Sequence, residues 1–313
     1  MADQDASPAA ERAARLLGAR LAGWEHLTGA GGYTPAFRLR VELDDGRTAF
    51  VKAASNDPTA GWLRDEARVY DTLDGCGFLP RRLGCEDDGA RPVLVLEDLS
   101  GAAGHWPPPW RPGDVERVLE TLAAVRPCAG RFAPGALPRL ADLRADFAGW
   151  ATVAADPAPF LSLGMCSAAW LDVCIPGLLA AADAAPLDGG DLCHLDTRSD
   201  NVCLAADGRT VLVDWNWAVV GNGVIDIAGW LPSLRREGGP EPEEALRRAG
   251  LPDQPEFAAL LAGFWAARAG LPSPPDAPKV RAVQKAQLTV ALPWAARALG
   301  LPPPDGPVFK TGG

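Results

Sequence analysis

The sequence predicts an α+β fold in two lobes: a small antiparallel sheet with one helix over residues 1–98, and a larger, mainly helical lobe over 99–313. Three observations predict it. Residues 37–43 (FRLRVEL) alternate apolar and polar, and the turn Asp44-Asp45-Gly46-Arg47 leads into a partner strand over 48–54. The apolar run Pro92-Val93-Leu94-Val95-Leu96 ends on Glu97-Asp98 and reads as a buried strand. Beyond a Gly/Pro/Trp-rich connector at 101–112 the pattern turns helical, with helices predicted over 114–125, 140–151, 167–184, 255–269 and 279–299.

The other elements can be read in chain order. Ala, Glu, Arg and Leu over 8–21 give a leading helix, and a Gly-rich stretch at 28–35 separates it from the hairpin. Asn56-Asp57-Pro58-Thr59 is a helix start for a helix over 61–74. Two short strands, 202–205 and 211–214, join across Asp207-Gly208.

Forty acidic against thirty basic residues give a net charge of −10, which argues against a non-specific nucleic-acid binder. No apolar run is long enough to span a membrane, and the N-terminus has no secretory h-region, so a cytoplasmic location is expected. Seven cysteines without a C-x-x-C pair fit free thiols in a reducing compartment; Cys193, His194 and Cys203 read as buried groups before they read as a zinc site.

The chemistry concentrates in His194-Leu195-Asp196-Thr197-Arg198-Ser199-Asp200-Asn201, followed by a hairpin and Val211-Leu212-Val213-Asp214. Phosphoryl transfer requires a carboxylate beside the attacking hydroxyl and oxygen ligands for Mg²⁺ on the phosphates. Asp196 fits the first role, and Asn201 and Asp214 fit the second. His194 is placed to brace the loop through its imidazole. Taken singly, Asp200-Asn201 is also turn chemistry and Asp214 a strand end.

Upstream, Lys52 lies near the end of a strand, and Glu66 shares a helical stripe with Trp62, Val69 and Leu73. A carboxylate on a packing face is costly unless paired, and Lys52 is the expected partner. The alternative is a solvated Glu66 at the edge of the stripe. Gly29, Gly31 and Gly32 fall where a lid over phosphates belongs, although glycines between strands also make ordinary turns and no Walker Lys-Ser/Thr comes after them. Glu97 and Leu99 mark a junction whose backbone is placed to read an adenine or a guanine.

In this order the motifs resemble the aminoglycoside phosphotransferase and choline kinase-like family, a branch of the bilobal protein-kinase-like fold, over roughly residues 29–229. The resemblance implies a small-molecule kinase that uses ATP or GTP with Mg²⁺ and a neutral or cationic hydroxyl acceptor, with an antibiotic as one candidate. It also implies that Asp226 buttresses the catalytic loop alongside His194. Choline, amino-sugar or homoserine kinases, and a regulatory pseudokinase, are the alternatives. Three departures stand out. Leu195 replaces the usual Arg or Gly, and Trp215-Asn216 replaces Phe-Gly. Arg198 stands where a lysine near the transferring phosphate belongs, as a γ-phosphate contact or a solvated loop arginine. Residues 215–229 contain no Ser, Thr or Tyr, which argues for a small acceptor. The acidic segment from Glu237 to Glu244 either attracts a cationic acceptor or starts a helix.

Overall fold

A computed structural model describes residues 6–27, 35–101, 104–275 and 277–309. Helix α1 (Ser7–Leu16) ends earlier than expected. Gly18 takes a left-handed φ of 67°, and the Ala19 N–H donates back to the Ala14 carbonyl, a glycine stop that releases the chain into β1 (Leu21–His26). The predicted hairpin forms as β2 (Phe37–Leu43) and β3 (Thr48–Ala53). Helix α2 (Asp57–Thr72) starts in a reciprocal cap: Asn56 accepts the Thr59 N–H at 3.0 Å, and the Thr59 hydroxyl accepts the Asn56 N–H at 3.0 Å. Strands β4 (Arg82–Glu86) and β5 (Val93–Glu97) complete a five-stranded antiparallel sheet in the order β1-β2-β3-β5-β4.

Alternation along β3 decides what each face of this sheet carries. Ala49, Val51 and Ala53 pack with Leu39, Val41, Val93 and Val95 against the alanine face of α1. Lys52, between Val51 and Ala53, therefore points to the opposite face.

After β6 (Gly104–His105) and α3 (Asp114–Val125), the helix expected over 140–151 is broken. It becomes a 3-10 turn over Leu140–Leu143, then α4 (Arg144–Phe147) and α5 (Gly149–Ala155). Packing explains the break. A Cβ on Gly149 would lie 1.8 Å from the Gly263 carbonyl oxygen, so the chain bends at Ala148 to bring Gly149 flush against that backbone. Then come α6 (Ala158–Leu161), α7 (Ala168–Asp183) and β7 (Asp191–Cys193). The second hairpin, β8 (Val202–Ala205) and β9 (Thr210–Leu212), is extended by β6, and β10 (Val219–Gly221) pairs with β7. The chain closes with α8 (Val224–Arg236), α9 (Pro242–Arg248), α10 (Pro255–Ala269) and α11 (Val280–Ala298). Helix α10 is apolar around most of its circumference and is buried accordingly, packed by α5, α7 and α11.

The chain forms two compact units, and they do not obey a single cut after residue 98. The first takes residues up to 107 together with 130–133 and 199–218; the second takes 108–129, 134–198 and 219 onward. The β8–β9 hairpin joins the first unit because β6 pairs with β8 and the Leu212 N–H donates to the Phe78 carbonyl at 2.8 Å. Within that unit Leu99, Cys203, Ala205 and Val211 form a second small core. No helix among the described residues is long and apolar enough to cross a membrane.

Candidate active site

In the first unit, register sets the chemistry. Lys52 pairs across the sheet with Arg38 on one side and Leu94 on the other, so all three side chains share the α2 face. There the Lys52 ammonium donates to Glu66 Oε2 at 2.6 Å and to Asp214 Oδ1 at 2.5 Å. Lys52 is 7% exposed and Glu66 1%, so the stripe residue is buried and paired. Burial pulls the Lys52 pKa down, but Asp214 and Glu66 outweigh it and raise it above the ordinary lysine value. Burial pushes Glu66 up, with Lys52 offsetting part of that. Tyr70, one turn further along α2, is buried beside them, and its phenol is pushed well up by burial, then by Glu66 and Asp214.

The second hairpin brings Asn201 next to Asp214. Val202 pairs with Leu212, and the Val213 N–H donates to the Asn201 carbonyl at 3.0 Å. Asp214 lies two residues beyond β9 rather than on its last rung, at a φ of 69° that Asp tolerates better than most residues. Asn201 is buried and Asp214 is partly open. A carboxylate and a carboxamide brought together just outside the open end of the hairpin fit Mg²⁺, which takes oxygen ligands and is commonly held by few protein groups plus phosphates. No cluster of three or more His, Cys, Asp or Glu suited to a metal occurs among the described residues.

Sequence reasoning missed the two residues beyond Trp215. In the orientation that satisfies both neighbours, the Asn216 carboxamide donates to Asp214 Oδ1 at 2.8 Å and accepts from Trp217 Nε1 at 3.2 Å. Trp217 is 52% exposed, and its ring centroid lies 6.3 Å from that of Trp62 on α2. The departure from Phe-Gly at 215–216 was the available signal. Arg38, a second cation on the Lys52 face, was also unmarked.

The first unit also holds the remaining donor-side expectations. The Glu97 carboxylate accepts from Arg209 at 2.8 Å and from the Arg81 N–H at 3.0 Å, while its own N–H donates to the Arg81 carbonyl. Burial pushes that carboxyl up, but the hydrogen bonds from Arg209 and Arg81 leave it below its usual range, so its side chain serves the sheet. Leu99 is buried, and its carbonyl accepts from Trp106 Nε1 at 3.2 Å. Gly29, Gly31 and Gly32 lie outside the described residues.

In the second unit, Asp226 at the start of α8 accepts the His194 and Leu195 N–H groups, each at 2.7 Å. Burial raises its carboxyl to about 6, against the pull of those two hydrogen bonds. The clamp holds Leu195 at a φ of 62°, a conformation that strains a leucine. His194 is fully buried, and its Nδ1 accepts the Asp196 N–H at 3.2 Å. Asp196 is thus presented on a doubly anchored loop. Arg198 Nε lies 3.2 Å from Asp196 Oδ1, a pairing that spacing alone did not indicate.

The acidic segment is already matched by arginines. Glu241 pairs with Arg235 at 2.6 Å and Glu243 with Arg297 at 2.9 Å, while Glu244 contacts both Arg247 and Arg248. Glu237 accepts from Trp110 Nε1 at 3.0 Å. The segment ties α9 to its neighbours.

A lysine shared by a helix glutamate and a hairpin aspartate, with an aspartate on a loop pinned by buried His and Asp, defines a protein-kinase-like enzyme. The chain belongs to the phosphotransferase enzyme family, whose profile matches residues 28–261, and it is a small-molecule kinase. Among solved structures, a protein from Ralstonia eutropha JMP134, provisionally assigned as an aminoglycoside phosphotransferase, shares 15% identity at a TM-score of 0.57, covering 91% of this chain and 98% of its own. A thermostable mutant of aminoglycoside phosphotransferase APH(4)-Ia, in ternary complex with AMP-PNP and hygromycin B, shares 16% identity at a TM-score of 0.56, covering 90% and 94%. Choline kinase LicA from Streptococcus pneumoniae shares 14% at 0.53, covering 90% and 94%. At these identities the likeness is one of fold. No curated protein matches the chain.

Proposed function

We propose that the enzyme moves the γ-phosphate of ATP or GTP to a hydroxyl of a small molecule, with antibiotics as the first candidates. The observation that carries this reading is the buried Lys52 ammonium shared by Glu66 and Asp214 at 2.6 and 2.5 Å. In this reading the ammonium holds the donor phosphates, with Arg38 as a further cation on the same face. Asn201 and Asp214 would hold Mg²⁺, which neutralises phosphate charge when bound. Asp196 accepts the hydroxyl proton as the acceptor oxygen bonds to the γ-phosphorus. The bond from that phosphorus to the bridging oxygen breaks, and the nucleoside diphosphate leaves with its electron pair. Arg198 keeps the Asp196 carboxylate oriented and faces charge on the transferring group. Positioning and charge supply most of the rate in such chemistry.

A nucleotide-consumption screen tests this with ATP and GTP against antibiotics, amino sugars and choline. Acceptor-dependent release of diphosphate is expected. Binding of Mg-nucleotide with no transfer to any acceptor would contradict it. Turnover of choline alone would move the assignment to a metabolite kinase.

A further inference from the structure

Most large apolar side chains of this protein are buried, and tryptophans Trp150, Trp215, Trp230 and Trp294 are fully so. Among the described tryptophans Trp217 is the most exposed: half of it is open, yet its indole N–H is tied through Asn216 to the carboxylate of Asp214. The hydrogen bond turns the nitrogen edge inward and leaves ring surface facing out, with Trp62 tilted 42° against it. The ring thus lies one carboxamide away from a proposed phosphate-side residue. The carboxylates nearest the ring are already assigned: Glu66 and Asp214 both engage Lys52, and in the kinase reading Asp214 also serves Mg²⁺, which leaves neither to a cationic acceptor. The acidic segment of the second unit is likewise matched by arginines.

We propose that Trp217, held by Asn216 and flanked by Trp62, is the stacking platform of the acceptor. The acceptor is therefore a neutral molecule with a planar ring close to the hydroxyl that is phosphorylated, such as a nucleoside or an aryl glycoside. Planar rings stack on indole faces through dispersion and quadrupole contact, largely without regard to hydrogen-bonding pattern. This rests on the kinase reading above and narrows its substrate class.

The test uses the full chain saturated with AMP-PNP and Mg²⁺, so a failure to bind AMP-PNP separately marks failure of the kinase reading, and the platform falls with it. Uridine, adenosine and phenyl β-glucoside are the planar-ring probes; hygromycin B and choline are the saturated, cationic ones. The Trp217 indole N–H resonance is identified as the one lost in Trp217→Phe. At least one planar-ring probe is expected to shift it at concentrations up to about 10 mM. Trp217→Ala should weaken that probe about tenfold or more, with Trp217→Phe restoring most of the affinity and AMP-PNP affinity moving less than about twofold. Equal binding to Trp217→Ala overturns the platform, as does binding that leaves the indole signal unmoved. A response to choline or hygromycin B but to no planar-ring probe overturns the substrate class, and no response to any probe overturns both.

Discussion

Two buried acids, Glu66 in the first unit and Asp226 in the second, behave differently because their partners differ. Glu66 has a cation, so removing Lys52 leaves an uncompensated charge in the interior. Lys52→Met should lower stability by about 3–5 kcal/mol in chemical denaturation, and adding Glu66→Gln should recover part of that loss. A Lys52→Met protein as stable as wild type would show that an isolated Glu66 is tolerated there. Asp226 has no ion pair among the described residues, and burial raises it to about 6 against an unfolded value of 3.8, with two backbone N–H donors and the more distant Arg126 charge pulling back only in part. Between those values the folded protein holds a proton that the unfolded chain has lost, so this group makes folding less favourable as pH rises through that window, and contributes a constant amount above it. The stability of wild type relative to Asp226→Asn should therefore fall from about pH 4 to 6 and stay level to about pH 8. A difference that is flat throughout would show that Asp226 does not titrate there.

At the scale of elements, the local code is strong where it is reciprocal. The Asn56–Thr59 cap sets the start of α2, the helix that delivers Glu66; Asn56→Ala should cost about 1 kcal/mol. Where α5 meets α10 no side chain fits: a Cβ on Gly263 would lie 2.6 Å from the Trp150 ring. Gly263→Ala should destabilise by about 1–3 kcal/mol, read from the urea midpoint, and an unchanged midpoint would mean that the helices can separate at little cost. These cases show what was legible. The β2–β3 hairpin, the strand at 93–97 and the Glu66 stripe could be read because period-two and helical patterns are contiguous in sequence. The break at Ala148 could not, because its cause is a glycine more than a hundred residues away. Strand β4 (Arg82–Glu86) was invisible for a related reason: Arg82, Gly84 and Cys85 carry little pattern, and pairing with β5 makes them a strand.

At the scale of the whole molecule, the division of the chain separates two tasks. Lys52, Glu66, Asn201 and Asp214 belong to one compact unit, whereas His194, Asp196, Arg198 and Asp226 belong to the other. The motif around His194 to Asn201 was legible as a string, but the boundary that runs through it, between Arg198 and Ser199, was not. Contacts distant in sequence draw that line: β6 and Phe78 against the second hairpin, Glu97 with Arg209, and Lys52 with Asp214. In the proposed reading, donor binding therefore rests on groups that do not include Asp196. AMP-PNP at about 100 times its Kd should stabilise the chain by about 2.7 kcal/mol, and Asp196→Asn should keep that gain. The most direct measurement compares wild type with Asp196→Asn for acceptor-dependent phosphate transfer and, in parallel, for AMP-PNP affinity. The account predicts that transfer falls by about 100-fold or more while affinity stays within about twofold. Near wild-type transfer by Asp196→Asn would contradict it.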